Sequence, residues 1–226
     1  MSYDPRTIAF VGELLFPPMQ LRADLVQSVH NSLFRQPALG YQSFQIAADG
    51  IHLTNLAQTP GQVSSASFLP DRLVVREELR GSTVEDFATR LVNVANTAFA
   101  ALTIPISLAQ QITVRSLVTP KQGRDGREFL ARRVLAVGDA LAGFARPLQA
   151  IGLRLAFPPT DDQRAAHQVR IESWPMDPRS LWLEVTSTYA GAIPTAQLPQ
   201  VADHLYATYG FLTGPVGTFL AAHDNP

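Results

Sequence analysis

Ser43-Phe44-Gln45-Ile46-Ala47-Ala48-Asp49-Gly50-Ile51-His52-Leu53-Thr54-Asn55-Leu56-Ala57 is the stretch that decides the fold. Asp49-Gly50 between two alternating apolar runs is the strongest short hairpin signal, because a tight hairpin turn needs residues that tolerate positive φ. A two-residue turn there pairs Ala48 with Ile51 and Ile46 with Leu53, and all four then share one face. The pattern repeats downstream. Pro60-Gly61 makes the next turn, and residues 63–69 and 72–79 meet at Pro70-Asp71. That register pairs Phe68 with Leu73 and Ala66 with Val75, again on one face. Hairpins impose antiparallel pairing, so residues 43–79 read as a four-stranded meander with one apolar side.

Outward from the meander, residues 7–16 read as a strand, with Ile8, Phe10, Leu14 and Phe16 on one side at period two. Pro17-Pro18 closes it. Residues 20–36 carry Leu21, Leu25, Val29 and Leu33 at helical spacing. Ser82-Thr83-Val84-Glu85 is a capping box, with a hydroxyl at the cap and Glu85 three residues on. The helix it opens runs to about residue 102, with Phe87, Leu91, Val94, Ala95 and Ala98 as its apolar stripe, and Ile104-Pro105 stops it. The chain then starts over. Residues 108–118 form a strand, 120–126 a polar loop, and 127–146 a helix interrupted near Gly138 and Gly143. Residues 149–157 form a strand closed by Pro158-Pro159, and 167–174 and 180–189 a hairpin around Pro175-Met176-Asp177-Pro178. Residues 197–212 form a helix with Pro199 in its first turn, and Gly214-Pro215 breaks it before a last turn with Val216, Phe219 and Leu220.

The expected fold class is α+β, as two similar β-α-β(3-4)-α units, residues 1–104 and 105–226. Together they form one structural unit: a curved antiparallel sheet with helices packed on one face. The order of elements resembles the TATA-box-binding-protein type of duplicated fold, a likeness of topology that carries no function. Leu73-Val74-Val75-Arg76-Glu77, Ile112-Thr113-Val114-Arg115, Gly126-Arg127-Glu128-Phe129-Leu130 and the final helix with His204 and Tyr209-Gly210-Phe211 resemble a sporadically distributed family of uncharacterised bacterial proteins. Ser116-Leu117-Val118 stands where that family carries a Tyr-Ile-Asn-type segment. The resemblance implies organisation and supplies no chemistry.

Composition narrows the function classes. Of 226 residues, 46% are hydrophobic and only 16% charged, and the formal net charge is −1. Such a chain buries a large core, and its low charge points to a surface partly covered by a protein partner or a second copy. It has no global basic field to draw it to nucleic acid. Lys121 is the single lysine among the basic residues, a bias expected of a GC-rich bacterial genome. With no cysteine, disulfide frameworks, thiolate metal sites and cysteine nucleophiles are excluded. Met1-Ser2-Tyr3-Asp4-Pro5-Arg6 lacks the basic-then-apolar layout of a secretory leader, and no apolar run reaches membrane-spanning length. A cytoplasmic location is the expectation.

Motifs for chemistry are missing. His30, His52, His167, His204 and His223 show no pair at i, i+4 spacing, and Asp203-His204, adjacent on a helix, points two ways. There is no GxSxG, SxxK or Gly-Lys-Ser/Thr phosphate loop, although Gly123, Arg124, Gly126 and Arg127 precede a helix that could hold a phosphate. No cofactor is expected. Glu77 falls on the core side of its strand and needs a partner there, for which Arg115 is the candidate.

The informative feature is the other side of the sheet. Arg76, Arg80, Arg115, Arg154, Arg170, Trp174 and Trp182 all fall on it, interleaved with Glu78, Glu172 and Glu184. Arginine with tryptophan is the composition of binding hot spots. The first expectation is therefore a non-catalytic interaction or assembly module using this face. The alternative is a small-molecule binder or enzyme with an apolar cavity between sheet and helices, lined by Phe10, Phe44, Phe68, Phe87 and Phe99. Nucleic-acid binding through the sheet is a third reading, opposed by the interleaved glutamates.

Overall fold

The computed structural model describes residues 5–36 and 39–225. Residues 1–4, on which the reading of an absent leader rests, lie outside them.

The first half runs β1 (Arg6–Leu15), α1 (Ala23–Phe34), β2 (Ser43–Ile46), β3 (Ile51–Thr54), β4 (Val63–Leu69), β5 (Arg72–Glu78) and α2 (Val84–Leu102). The second half opens with β6 (Ile106–Ser107) and β7 (Ala109–Val118). The short α3 (Gly126–Glu128) runs into a π-helical turn over Phe129–Val134, and α4 (Gly138–Ala142) follows. Then come β8 (Gly152–Phe157), β9 (Ala165–Ser173), β10 (Leu181–Tyr189), β11 (Ile193–Pro194) and α5 (Gln200–Phe211). A second π-helical turn over Leu212–Val216 leads into α6 (Gly217–His223).

Nine strands form one open antiparallel sheet in the order β2-β3-β4-β5-β1-β7-β10-β9-β8, and β6 and β11 pair separately. From the centre outward, each side is wound alike: first strand, then last, then the earlier ones in reverse. The alternation of side chains puts Phe10, Leu14, Leu73, Val75, Ala66, Phe68, Ile112, Val114, Leu183 and Val185 on the helix side, all buried. The helices stack there and their apolar stripes close the core. Phe10 stacks on Phe87 with ring centroids 5.3 Å apart, and Phe16 meets Phe99 edge-on at 5.8 Å. Gly12 on β1 leaves the room Leu91 fills: a Cβ there would lie 2.7 Å from the Leu91 side chain.

Several local expectations shift. Around Asp49-Gly50 the strands pair Ile46 with Ile51 and Phe44 with Leu53, so the loop spans Ala47 to Gly50. The slip is two residues, which preserves the face. Thr83, not Ser82, caps α2: its hydroxyl accepts from Asp86 N–H, and the Asp86 carboxylate accepts from Thr83 N–H. The box is one residue later because Ser82 Oγ donates to Glu77 instead. The helix expected over 20–36 begins only at Ala23, and the one expected over 127–146 is three short pieces. Ala136, in the left-handed region at φ 54°, breaks that run before Gly138 does.

Replacing Phe87 by alanine is expected to destabilise the protein by about 3–5 kcal/mol, since it opens a cavity where α2 meets the central strands. Urea denaturation followed by circular dichroism measures it.

Candidate functional site

On the open side of the sheet the arginines and glutamates form one ladder. Arg115 stands on β7 at its centre. Its Nε donates to Glu184 Oε2 at 2.7 Å and its Nη1 to Glu78 Oε1. Glu184 is the register partner of both Arg115 and Arg170, so one carboxylate on β10 meets a guanidinium from each flank. Arg170 also holds Glu172 at 2.8 Å, and Arg76 holds Glu78 at 2.6 Å. Reaching from β7 to Glu78 on β5 means crossing β1. The residue crossed is Ala9, partner to both Glu78 and Arg115, whose small side chain lies buried under the bridge.

Trp182 lies beside this ladder. The Arg170 guanidinium sits 4.9 Å from its ring centroid and that of Arg115 6.0 Å, within cation–π range. Trp174 and Trp182 line a groove of about 600 Å³ together with Ile151, Pro175, Arg115 and Arg170. The structure thus brings together Arg76, Arg115, Arg170, Trp174 and Trp182. Arg154 stands apart: it is the register partner of Arg170 on β8, is exposed, and has no ion-pair partner among the described residues. Three arginines and three glutamates make the ladder itself neutral, so it offers no field for a polyanion.

Glu77, the next residue to Glu78, points the opposite way and is 3% exposed. Arg115 is not its partner, because the two lie on opposite faces. Arg80 and Arg90 each reach it through Nε at 3.2 Å, and Ser64 and Ser82 donate to it at 2.7 and 3.2 Å.

A second concavity lies on the helix side, where the outer strands run out from under the helices. It encloses about 370 Å³ and is lined by Leu155, Phe157, Val169, Ile171, Phe211 and Phe219, with Pro215 and Val216 at the π-helical turn. Pro215 sits in the π-helical turn between α5 and α6, and the helix layer leaves β8 partly bare while the helix-side residues of β9 are buried. None of Phe10, Phe44, Phe68, Phe87 and Phe99 lines this cleft. Phe44 packs against the margin of the core, and the other four are fully inside it, Phe87 and Phe99 from α2 and Phe10 and Phe68 from β1 and β4. The phenylalanines that do line it come from an edge strand and from the helix breaks.

The titratable group in the cleft wall is His167. Its Nδ1 meets Ser187 Oγ at 2.8 Å, and its ring stacks on Phe211 with centroids 4.0 Å apart and planes 11° apart. Burial holds its protonation below the usual histidine range, so the imidazole is neutral at pH 7. Ser187 is completely enclosed, which keeps the pair from acting as nucleophile and base on a bound molecule. On the far side of Phe211 a further recess of about 460 Å³ shares Gln163, His167, Phe211 and Pro215, and adds Arg164, Tyr189 and His204. His204 stacks on Tyr189 at 3.8 Å, and its protonation too is depressed by burial. No group of three metal-ligating side chains occurs among the described residues, and no described helix is long and apolar enough to cross a membrane.

Compared with known proteins, the chain matches no protein-family model and no curated protein sequence.

The depressed histidines carry a pH signature. Unfolded histidines bind protons near pH 6.5, whereas His167 and His204 resist them in the folded protein, so acid favours the unfolded chain. Stability is expected to be level between about pH 7.5 and 9 and to fall from about pH 6.5 towards 5. The carboxylates with lowered values, such as Asp125, respond only in more acidic solution. Thermal denaturation of wild type and His167→Gln across this range checks it: the variant should show a shallower decline.

Proposed function

We propose that this protein binds a small, uncharged, largely apolar molecule in the cleft between β8–β9 and the α5–α6 turn. One observation carries the reading: a concavity of about 370 Å³ with an almost wholly apolar wall and a single neutral imidazole in it. The volume falls in the range of small-molecule sites, and a few polar groups (His167, Gln163 and Thr160) in a mostly apolar wall are the pattern that orients a ligand. The ring nitrogen of His167 not engaged by Ser187 is the anchor for one hydrogen bond. A charged group placed there would lose its hydration with no opposite charge in the wall, which selects against ions.

N-phenyl-1-naphthylamine, an uncharged fluorophore, tests this. Saturable fluorescence enhancement at one equivalent is expected for wild type. Leu155→Trp, which fills the cleft from its partly exposed wall, should weaken it at least tenfold with the circular dichroism spectrum unchanged. Absence of saturable binding, or equal binding by the variant, would overturn the proposal.

A second reading is favoured by the groove at Trp174 and Trp182, on the sheet face opposite the packed helices: an assembly contact with a second copy of the chain. Paired tryptophans beside arginines are typical of such anchors. Sedimentation at micromolar concentration is expected to give a dimer that Trp182→Ala dissociates. A wild-type monomer at tens of micromolar would remove this reading.

A further inference from the structure

We infer that the polar pocket built around Arg80 is a binding site for a small oxyanion, a carboxylate or phosphate group on a small molecule. It lies in the first half, far along the chain from the apolar cleft, and stands independently of it. The pocket encloses about 410 Å³ and is lined by Tyr41, Gln42, Asn55, Gln58, Arg80 and Arg90, with Phe34 and Leu56 at its margin.

The argument begins at Glu77. Its buried carboxylate holds both guanidiniums by their Nε atoms, at 3.2 Å each. An arginine fixed through Nε still has the two Nη groups at the tip of its fork, the geometry that grips an oxyanion with two parallel hydrogen bonds. For Arg80, Nη1 and Nη2 meet no hydrogen-bond partner among the described residues. Arg90 uses Nη1 on the Leu39 carbonyl at 3.4 Å and lies over the Tyr41 ring at 5.5 Å.

Charge points the same way. Two guanidiniums share one carboxylate, and no acidic side chain lines the pocket among the described residues. Tyr41 adds no negative charge, since burial pushes its phenol up to about 12 and keeps it neutral. The pocket wall therefore carries cationic and no anionic side chains among the described residues, which favours an anion.

The support is rigid. Asn55 Nδ2 donates to Ser64 Oγ at 3.0 Å, and Ser64 donates on to Glu77, so the pocket wall is tied to the carboxylate that orients the arginines. Leu79 at φ 52° and Gly81 at φ 73° bracket Arg80, turning the chain sharply between β5 and α2 and presenting the side chain inward. Gln42 Oε1 accepts from Leu56 N–H, which leaves its amide nitrogen as a further donor, and the Gln58 side-chain amide has no partner among the described residues. Preorganised donors of this kind, held by a buried counter-charge, are what an oxyanion site requires.

Isothermal titration of the full chain with sodium phosphate, and separately with sodium acetate, tests it, with sodium chloride at matched ionic strength as the control. Saturable binding of at least one oxyanion at one equivalent is expected, and none of chloride. The two arms decide between a phosphate and a carboxylate ligand. Arg80→Lys keeps the charge near Glu77 and loses the fork, and should weaken binding at least tenfold. Gln58→Ala, an exposed change that leaves Glu77 and its partners untouched, should weaken it several-fold without moving the melting temperature. No saturable binding of either oxyanion up to 50 mM, or equal affinity in wild type and both variants, would overturn the inference.

Discussion

The pairing of β1 with β7 holds this molecule together. These strands lie about a hundred residues apart in sequence, and their antiparallel seam runs from Arg6 opposite Leu117 to Leu15 opposite Ala109. Every other strand is joined to its own half, so without this seam the sheet is two separate pieces with two new unsatisfied edges. Its register also decides what each face can do. Phe10 falls opposite Val114 on the helix side, and Ala9 opposite Arg115 on the open side, with an irregularity between Thr7 and Ala9 that shifts the pairing. Slipping the seam by one residue would put Arg115 in the core and Val114 in solvent. The ladder on one face and the packed core on the other are two consequences of one register.

Much of this was legible in the sequence because it rests on period two. Strands β4 and β5 pair as the Pro70-Asp71 turn dictates, Phe68 against Leu73 and Ala66 against Val75. The helix-side and open-side sets of β5, β7, β9 and β10 fall as alternation predicts, except that Arg80, expected on the open side, turns to Glu77 because β5 ends at Glu78 and Leu79 takes a left-handed φ of 52°. Contacts that depend on strand order did not follow from pattern alone. Arg115 pairs with Glu78 and Glu184 because β1 and β10 flank β7, and order within a sheet is a long-range property. The Asp49-Gly50 hairpin slipped by two residues because parity is all that the apolar pattern specifies, and the longer loop keeps it.

The cleft was invisible for a different reason. It arises from what the helix layer fails to cover. In the first half the nineteen-residue α2 lies over β1 and β5 and α1 over β2 and β3, and Phe10 and Phe68 on the sheet beneath this layer are sealed. The corresponding stretch of the second half is broken into α3, a π-helical turn and α4, and α4 buries none of its residues. Gly214 and Pro215 then divide α5 from α6. Each break is readable as a helix stop, but a stop does not say which strand it leaves bare. Only the edge position of β8, fixed by the whole sheet, makes Leu155, Phe157 and Phe211 the wall of a concavity.

Glu77 and Glu78 show how much placement adds to composition. They are neighbours on β5 and alike in chemistry, and strand alternation sends them to opposite faces. Glu78 enters a ladder in which positive and negative groups alternate one for one across five strands. Such an arrangement neutralises itself and stiffens the sheet, and it leaves no charge over for a ligand. Glu77 goes inward, where a lone carboxylate is costly, and gathers two arginines and two hydroxyls around it. Arg80 stands at the wall of a polar recess and meets that carboxylate through Nε, so the tips of its fork are not spent on Glu77. The same glutamate that satisfies the core thereby positions the guanidinium.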